Sequence, residues 1–138
     1  MAYPTEQVIQ KFIKDDDAKM MIEAADEIGK KLARDLRLTT NQIRNIFSTV
    51  RQINMNWTKE SYRQVVLLKP KLAYQAKRVQ ERGGMSRDAL SEFEKVFAPA
   101  LDAVINAPES EREKYFGRVT DYLEAIIAYH KKHGGQEK

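Results

Sequence analysis

The chain has 138 residues and a mass of 16.0 kDa, a length that suits one domain, and 42% hydrophobic residues supply a core without help from a disulfide or structural metal. It contains no cysteine, which excludes thiol catalysis, cysteine-ligated zinc, iron–sulfur clusters and a disulfide framework. With 24 Lys plus Arg against 20 Asp plus Glu, the net charge is a mild +4. No segment approaches the roughly 18 apolar residues of a membrane span, and Met1 to Glu6 do not read as a signal peptide, so the expectation is a soluble cytoplasmic protein with no membrane partner.

Only 6 Gly and 4 Pro punctuate the sequence, and no alternating apolar and polar run calls for a strand. The reading is all-α: a compact single-domain bundle of five to six mostly antiparallel helices over residues 1–138. A first helix from about Thr5 to Lys14 carries Val8, Ile9, Phe12 and Ile13 on one side and stops before Asp15-Asp16-Asp17. Asp17 reads as the N-cap of a second helix whose stripe of Met21, Ala25, Ile28, Leu32 and Leu36 reaches about Leu36. Thr39, Thr40 and Asn41 are cap-forming residues ahead of a third helix, striped by Ile43, Ile46, Phe47, Val50 and Ile53 and ending near Met55.

A fourth helical region starts around Thr58. Pro70 lacks an amide hydrogen and restrains Lys69, so a break or kink is expected there before Leu72, Ala73, Ala76 and Val79 carry the apolar face to Arg82 and the Gly83-Gly84 stop. Ser86 reads as the cap of a fifth helix with Leu90, Phe93, Phe97, Ala100, Leu101 and Val104 inward, bent if Pro99 lies inside it. Ser110-Glu111-Arg112-Glu113 has the form of a capping box opening the last helix, which runs until His133-Gly134-Gly135 and a polar tail over 133–138.

Charge is distributed unevenly. Residues 1–38 carry 7 basic and 8 acidic side chains, and residues 83–138 carry 8 and 10. Residues 39–82 hold Arg44, Arg51, Lys59, Arg63, Lys69, Lys71, Lys77, Arg78 and Arg82 against Glu60 and Glu81 alone, a balance of +7. Arg44, Ser48, Arg51 and Met55 share one side of the third helix, and Lys71, Gln75, Arg78 and Arg82 repeat that spacing after Pro70. Such a field attracts polyphosphate, nucleic acid being the natural candidate, through contacts that carry no sequence information. The plainer alternative is a solvated face whose long stems cover neighbouring apolar groups.

Signals for catalysis are absent. Asp15 to Asp17 reads as a turn and cap rather than a metal cluster, and His130 with His133 suits a helix C-terminus better than a metal lacking a third ligand. There is no Gly-rich phosphate loop, no His-Glu-x-x-His and no Ser with a base partner, so neither an enzyme nor a cofactor or metal site is expected. Tyr62, Tyr74, Tyr122, Tyr129 and Trp57 are candidates for stacking on bases, although aromatic residues at stripe spacing more often belong to a core.

Leu38-Thr39-Thr40-Asn41-Gln42-Ile43-Arg44-Asn45-Ile46-Phe47, then Leu67-Leu68-Lys69-Pro70-Lys71-Leu72-Ala73-Tyr74-Gln75-Ala76, then Tyr122-Leu123-Glu124-Ala125-Ile126-Ile127-Ala128-Tyr129-His130 resemble the small helical subunit of type III-A CRISPR interference, the second subunit of the Csm complex. The resemblance spans about residues 36–132, leaving 1–35 as variable N-terminal helices. The Thr39 to Phe47 motif favours this family over the related small subunit of type III-B complexes. The resemblance implies a non-catalytic subunit that lines the inner filament of a crRNA-guided effector and stabilises crRNA and target RNA through backbone contacts, with other Csm subunits as partners. It places Arg44 and Arg51 on the family's basic helix and Lys69, Lys71, Lys77 and Arg78 in its basic Lys-Pro stretch; Arg63 and Arg82 join the RNA-binding set on spacing alone. The alternative is a helical interaction module that docks on acidic partner surfaces without touching RNA. A homodimer in isolation stays open.

Overall fold

In the computed structural model, which describes residues 3–135, the chain forms α1 (Glu6–Asp15), α2 (Ala18–Lys30), α3 (Thr40–Met55), α4 (Ser61–Arg82), α5 (Ala89–Ile105) and α6 (Glu109–Lys132), with no strand among the described residues. The last three residues of the polar tail lie outside that range. Thr5 and Asp17 open the first two helices as their side chains require: each accepts an amide of the first turn, Val8 at 3.3 Å and Met20 at 3.1 Å. Thr39 precedes α3, and Gln42 reaches back to accept the Thr39 amide at 2.7 Å.

Two expected caps are corrected, and the helix at Pro70 is continuous. Ser86 does not cap the fifth helix; Asp88 precedes it, and the Ser86 hydroxyl instead donates to the Arg37 carbonyl at 2.8 Å, tying the α4–α5 loop to the end of α2. The last helix begins at Glu109 after Pro108, one residue before Ser110, so Ser110 sits inside the first turn and cannot act as its cap. Pro108, with φ −58°, is already set for entry into a helix and needs no side-chain cap. α4 does not break at Pro70, because Val65, Leu68, Leu72 and Ala76 are all buried on one stripe and hold both halves against α5. Pro99 does lie inside α5, and is itself buried.

α5 occupies the centre. Ten of its 17 residues are buried, and it packs against α1, α4 and α6, so this helix is apolar nearly all round. Its Phe93 and Phe97 rings stack at 5.2 Å, Phe97 stacks on Tyr122 of α6 at 6.3 Å, and Phe12 of α1 meets Tyr122 edge-on at 5.1 Å. The Tyr122 hydroxyl, fully enclosed, donates to the Val96 carbonyl at 2.7 Å, and burial pushes its pKa well above the ordinary value.

α2 lies along α6, and Gly29 sets how closely. A Cβ added at Gly29 would stand 2.7 Å from the His130 amide nitrogen and 2.8 Å from the Tyr129 carbonyl carbon, backbone atoms that no rotamer change removes. Beyond Lys30 the helix widens into a π turn over Lys31–Asp35, and Arg37 closes it in the left-handed region at φ 55°. His130 is buried and bonds the Leu38 carbonyl, while His133 Nε2 donates to Asp26 Oδ1 at 2.6 Å, so the two histidines serve different partners.

The His133 hydrogen bond holds the Asp26 carboxyl below its ordinary 3.8; burial opposes this, and the charges of His133, Lys132 and Lys30 add to it. A depressed carboxylate stabilises the fold above its unfolded pKa and loses that contribution as pH falls through the folded value. Asp26→Asn is therefore expected to lower Tm at neutral pH, with the difference from wild type shrinking below about pH 4. Thermal melts across that range check it, and a constant difference would show that the ion pair is not its source.

Candidate nucleic-acid interface

A groove follows the seam between α3 and α4. Thr49, Gln52 and Asn56 face Thr58 and Gln64 at one end, Asn45 and Thr49 face Lys71 and Gln75 in the middle, and Gln42 with Asn45 faces Gln75, Arg78 and Arg82 at the other. As the number falls on α3 it rises on α4, so the two helices run antiparallel. Ile46, Leu68 and Leu72, with Phe97 and Leu101 of α5 beneath them, make an apolar floor. From Gln64 to Arg82 the α4 wall extends about 27 Å at 1.5 Å per residue. No Asp or Glu is among the described residues that line this groove.

The structure separates the eight basic residues singled out in the sequence. Lys71, Arg78 and Arg82 line the groove, on the side of α4 that also carries Gln64 and Gln75. Arg63 and Lys77 are exposed and belong to the outer side of α4. Arg44 and Arg51 are exposed on α3 but lie about 100° or more around the helix from Asn45, turned away from the groove, and the Arg51 guanidinium sits 5.5 Å from the Phe47 ring centre. Lys69 points the other way altogether: its ammonium donates to Asp102 of α5 at 2.5 Å, which neutralises it locally. Among the described residues the other seven form no ion pair.

The aromatic candidates divide as well. Tyr122 is core, Trp57 is half-buried against Phe116 at 5.6 Å, and Tyr62 donates to the Ile105 carbonyl at 3.0 Å beneath the Arg112 guanidinium at 3.8 Å. Tyr129 is half-buried, with the Lys132 ammonium 5.7 Å from its ring. Of these five, Tyr74 alone is open, 64% exposed on α4 with the Arg78 guanidinium 6.0 Å from its ring centre. Met55 at 75% and Leu67 at 40% are the other large apolar side chains exposed on these two helices.

A second concavity, of about 300 Å³, was not foreseen. It lies where the π turn meets the α4–α5 loop and is lined by Arg34, Arg37, Leu38, Thr39, Met85 and Ser86 among others. Counting charge by segment hid it, because Arg34 and Arg37 fall in the stretch whose acids outnumber its bases by one. Among the described residues, no three His, Asp or Glu side chains converge as a metal site, and no helix is long and apolar enough to cross a membrane.

Fold and surface together define a small all-helical protein whose most developed feature is a cationic, amide-lined groove. A family profile described as Csm2 Type III-A matches residues 15–136, nearly the whole chain and well ahead of residue 36, where the motif resemblance starts. The chain belongs to that family: it is the small helical subunit of a type III-A CRISPR Csm complex, a role that entails association with the other subunits. No curated protein sequence and no solved structure gave a significant match.

Proposed function

We propose that the α3–α4 groove holds the sugar–phosphate backbone of crRNA and its target RNA, and that the protein acts in the cytoplasm as a non-catalytic, RNA-stabilising part of the Csm complex. One observation carries the reading: a groove about 27 Å long at 1.5 Å per residue has Lys71, Arg78 and Arg82 along one wall and no acidic residue among the described residues of its lining. The side-chain amides of Asn45, Gln52, Gln64 and Gln75 offer both donors and acceptors, which suit phosphate oxygens and the 2′-hydroxyl alike, while Gln42, whose oxygen accepts from Thr39, offers its NH2 group. Arg44, Arg51, Arg63 and Lys77 supply the surrounding field rather than direct contacts, and Lys69 serves to position α4 on α5.

Binding of the purified protein to labelled single-stranded RNA over a salt series tests this. Three groove contacts at about −0.7 each give a slope of log affinity against log salt of about −2 or steeper. Unrelated RNAs of equal length are expected to bind alike. Absence of salt dependence, or a strong preference among such RNAs, would defeat the proposal.

The exposed Met55, Leu67 and Tyr74 favour a second, compatible role as a docking surface for other subunits. Association with those subunits that survives complete nuclease digestion is its signature.

A further inference from the structure

We infer that the strand does not stop at Arg82: the pocket of Arg34 and Arg37 is a second phosphate site, taking the backbone of the same RNA as it leaves the groove. This rests on the groove being the RNA site. Gln42, Arg82 and Leu90 close the far end of the groove, and Thr39, Met85 and Ser86, each three or four residues away from one of them, form walls of the pocket. The two concavities are therefore neighbours around the N-terminal end of α3, and the cationic lining passes from Arg78 and Arg82 to Arg34 and Arg37.

The pocket is built rather than incidental. Arg37 adopts a left-handed backbone, φ 55°, that non-glycine residues seldom take, and the Ser86 hydroxyl fixes its carbonyl at 2.8 Å. Its Nη1 rests 3.6 Å from Met85 Sδ, a contact that leaves the remaining guanidinium donors unclaimed by it. Asp88, the acidic group of the adjoining loop, already takes Arg87 at 3.5 Å and the Gln80 amide at 3.2 Å. Asp35 is exposed between the two arginines in sequence, and among the described residues neither Arg34 nor Arg37 forms an ion pair. Two guanidinium forks over a space of about 300 Å³ suit a phosphate oxyanion, which each can meet through paired N–H donors.

Arg34→Gln/Arg37→Gln, with the single Arg34→Gln variant sparing the left-handed residue, tests the assignment in the full chain. Circular dichroism and melting temperature establish that each variant is folded. Binding is measured with an oligonucleotide short enough for the groove and with a longer one. The double variant is expected to reduce the salt slope on the longer RNA by about 1.4, two contacts at about 0.7 each, and to leave the short RNA unaffected; the single variant shows half of this. Unchanged binding of the longer RNA, in a protein whose groove variants do lose affinity, would overturn the second site and leave the proposed function standing. Failure of wild type to bind either RNA would overturn both. Titration with inorganic phosphate at matched ionic strength separates a strand from a free anion: saturable phosphate binding abolished in the double variant while binding of the longer RNA is unchanged would assign the pocket to a small anion and overturn the strand path.

Discussion

Replacing Lys71, Arg78 and Arg82 together by Gln is expected to lower affinity for single-stranded RNA about a hundredfold at low salt, with the salt slope falling by about 2. Each lost contact with an exposed phosphate is worth up to about 1 kcal/mol, and three of them give roughly two orders of magnitude. Gln is a good helix former and the three side chains lie at the surface, so helicity and Tm should stay close to wild type. Arg44→Gln/Arg51→Gln is the matched control. It removes charge of the same sign from the same pair of helices, but from the side of α3 turned away from the groove, and should cost less per residue removed. Equal loss per charge in the two variants would mean that a diffuse field, not a groove, does the binding.

Gly29→Ala carries the largest expected effect on stability. Alanine is the better helix former by about 1 kcal/mol, so propensity alone predicts a more stable protein. The added Cβ, however, would stand 2.7 Å from the His130 amide nitrogen and 2.8 Å from two Tyr129 atoms, and α2 and α6 must move apart to admit it. Overpacking of this kind costs about 1 to 3 kcal/mol or more, and where backbone meets backbone the upper end applies. A fall in Tm of about 10 °C is expected for a chain of this length. A Tm equal to or above that of wild type would show that the two helices do not cross so closely.

Much of the fold could be read from periodicity, because stripes such as Ile43, Ile46, Val50 and Ile53 and caps such as Thr5 and Asp17 are local matters. Sequence and structure part where local chemistry is ambiguous. Ser86 and Ser110 both have cap-forming hydroxyls, yet chain entry set by Asp88 and Pro108 decides where those helices start. Pro70 weakens a helix on paper, but a buried stripe on either side of it outweighs one missing hydrogen bond. At the candidate site, spacing along α4 correctly put Lys71, Arg78 and Arg82 on one face. Spacing cannot say which side of α3 meets that face, and the structure turns Arg44 and Arg51 away from it. Nor can spacing reveal that Lys69 turns to Asp102, or that Arg34 and Arg37, far from Met85 and Ser86 in sequence, end up beside them.

The unbroken passage of α4 through Pro70 also gives the groove a mechanical character. Proline brings no amide to the Val66 carbonyl, so the helix has one fewer internal bond at that point and is most compliant there. Lys71 through Arg82 lie beyond the soft point and Gln64 before it. Leu72 and Ala76, buried beyond that point, keep the far half seated on α5, so the one missing bond leaves Lys71, Arg78 and Arg82 on a single straight helical segment with the spacing between their charges intact.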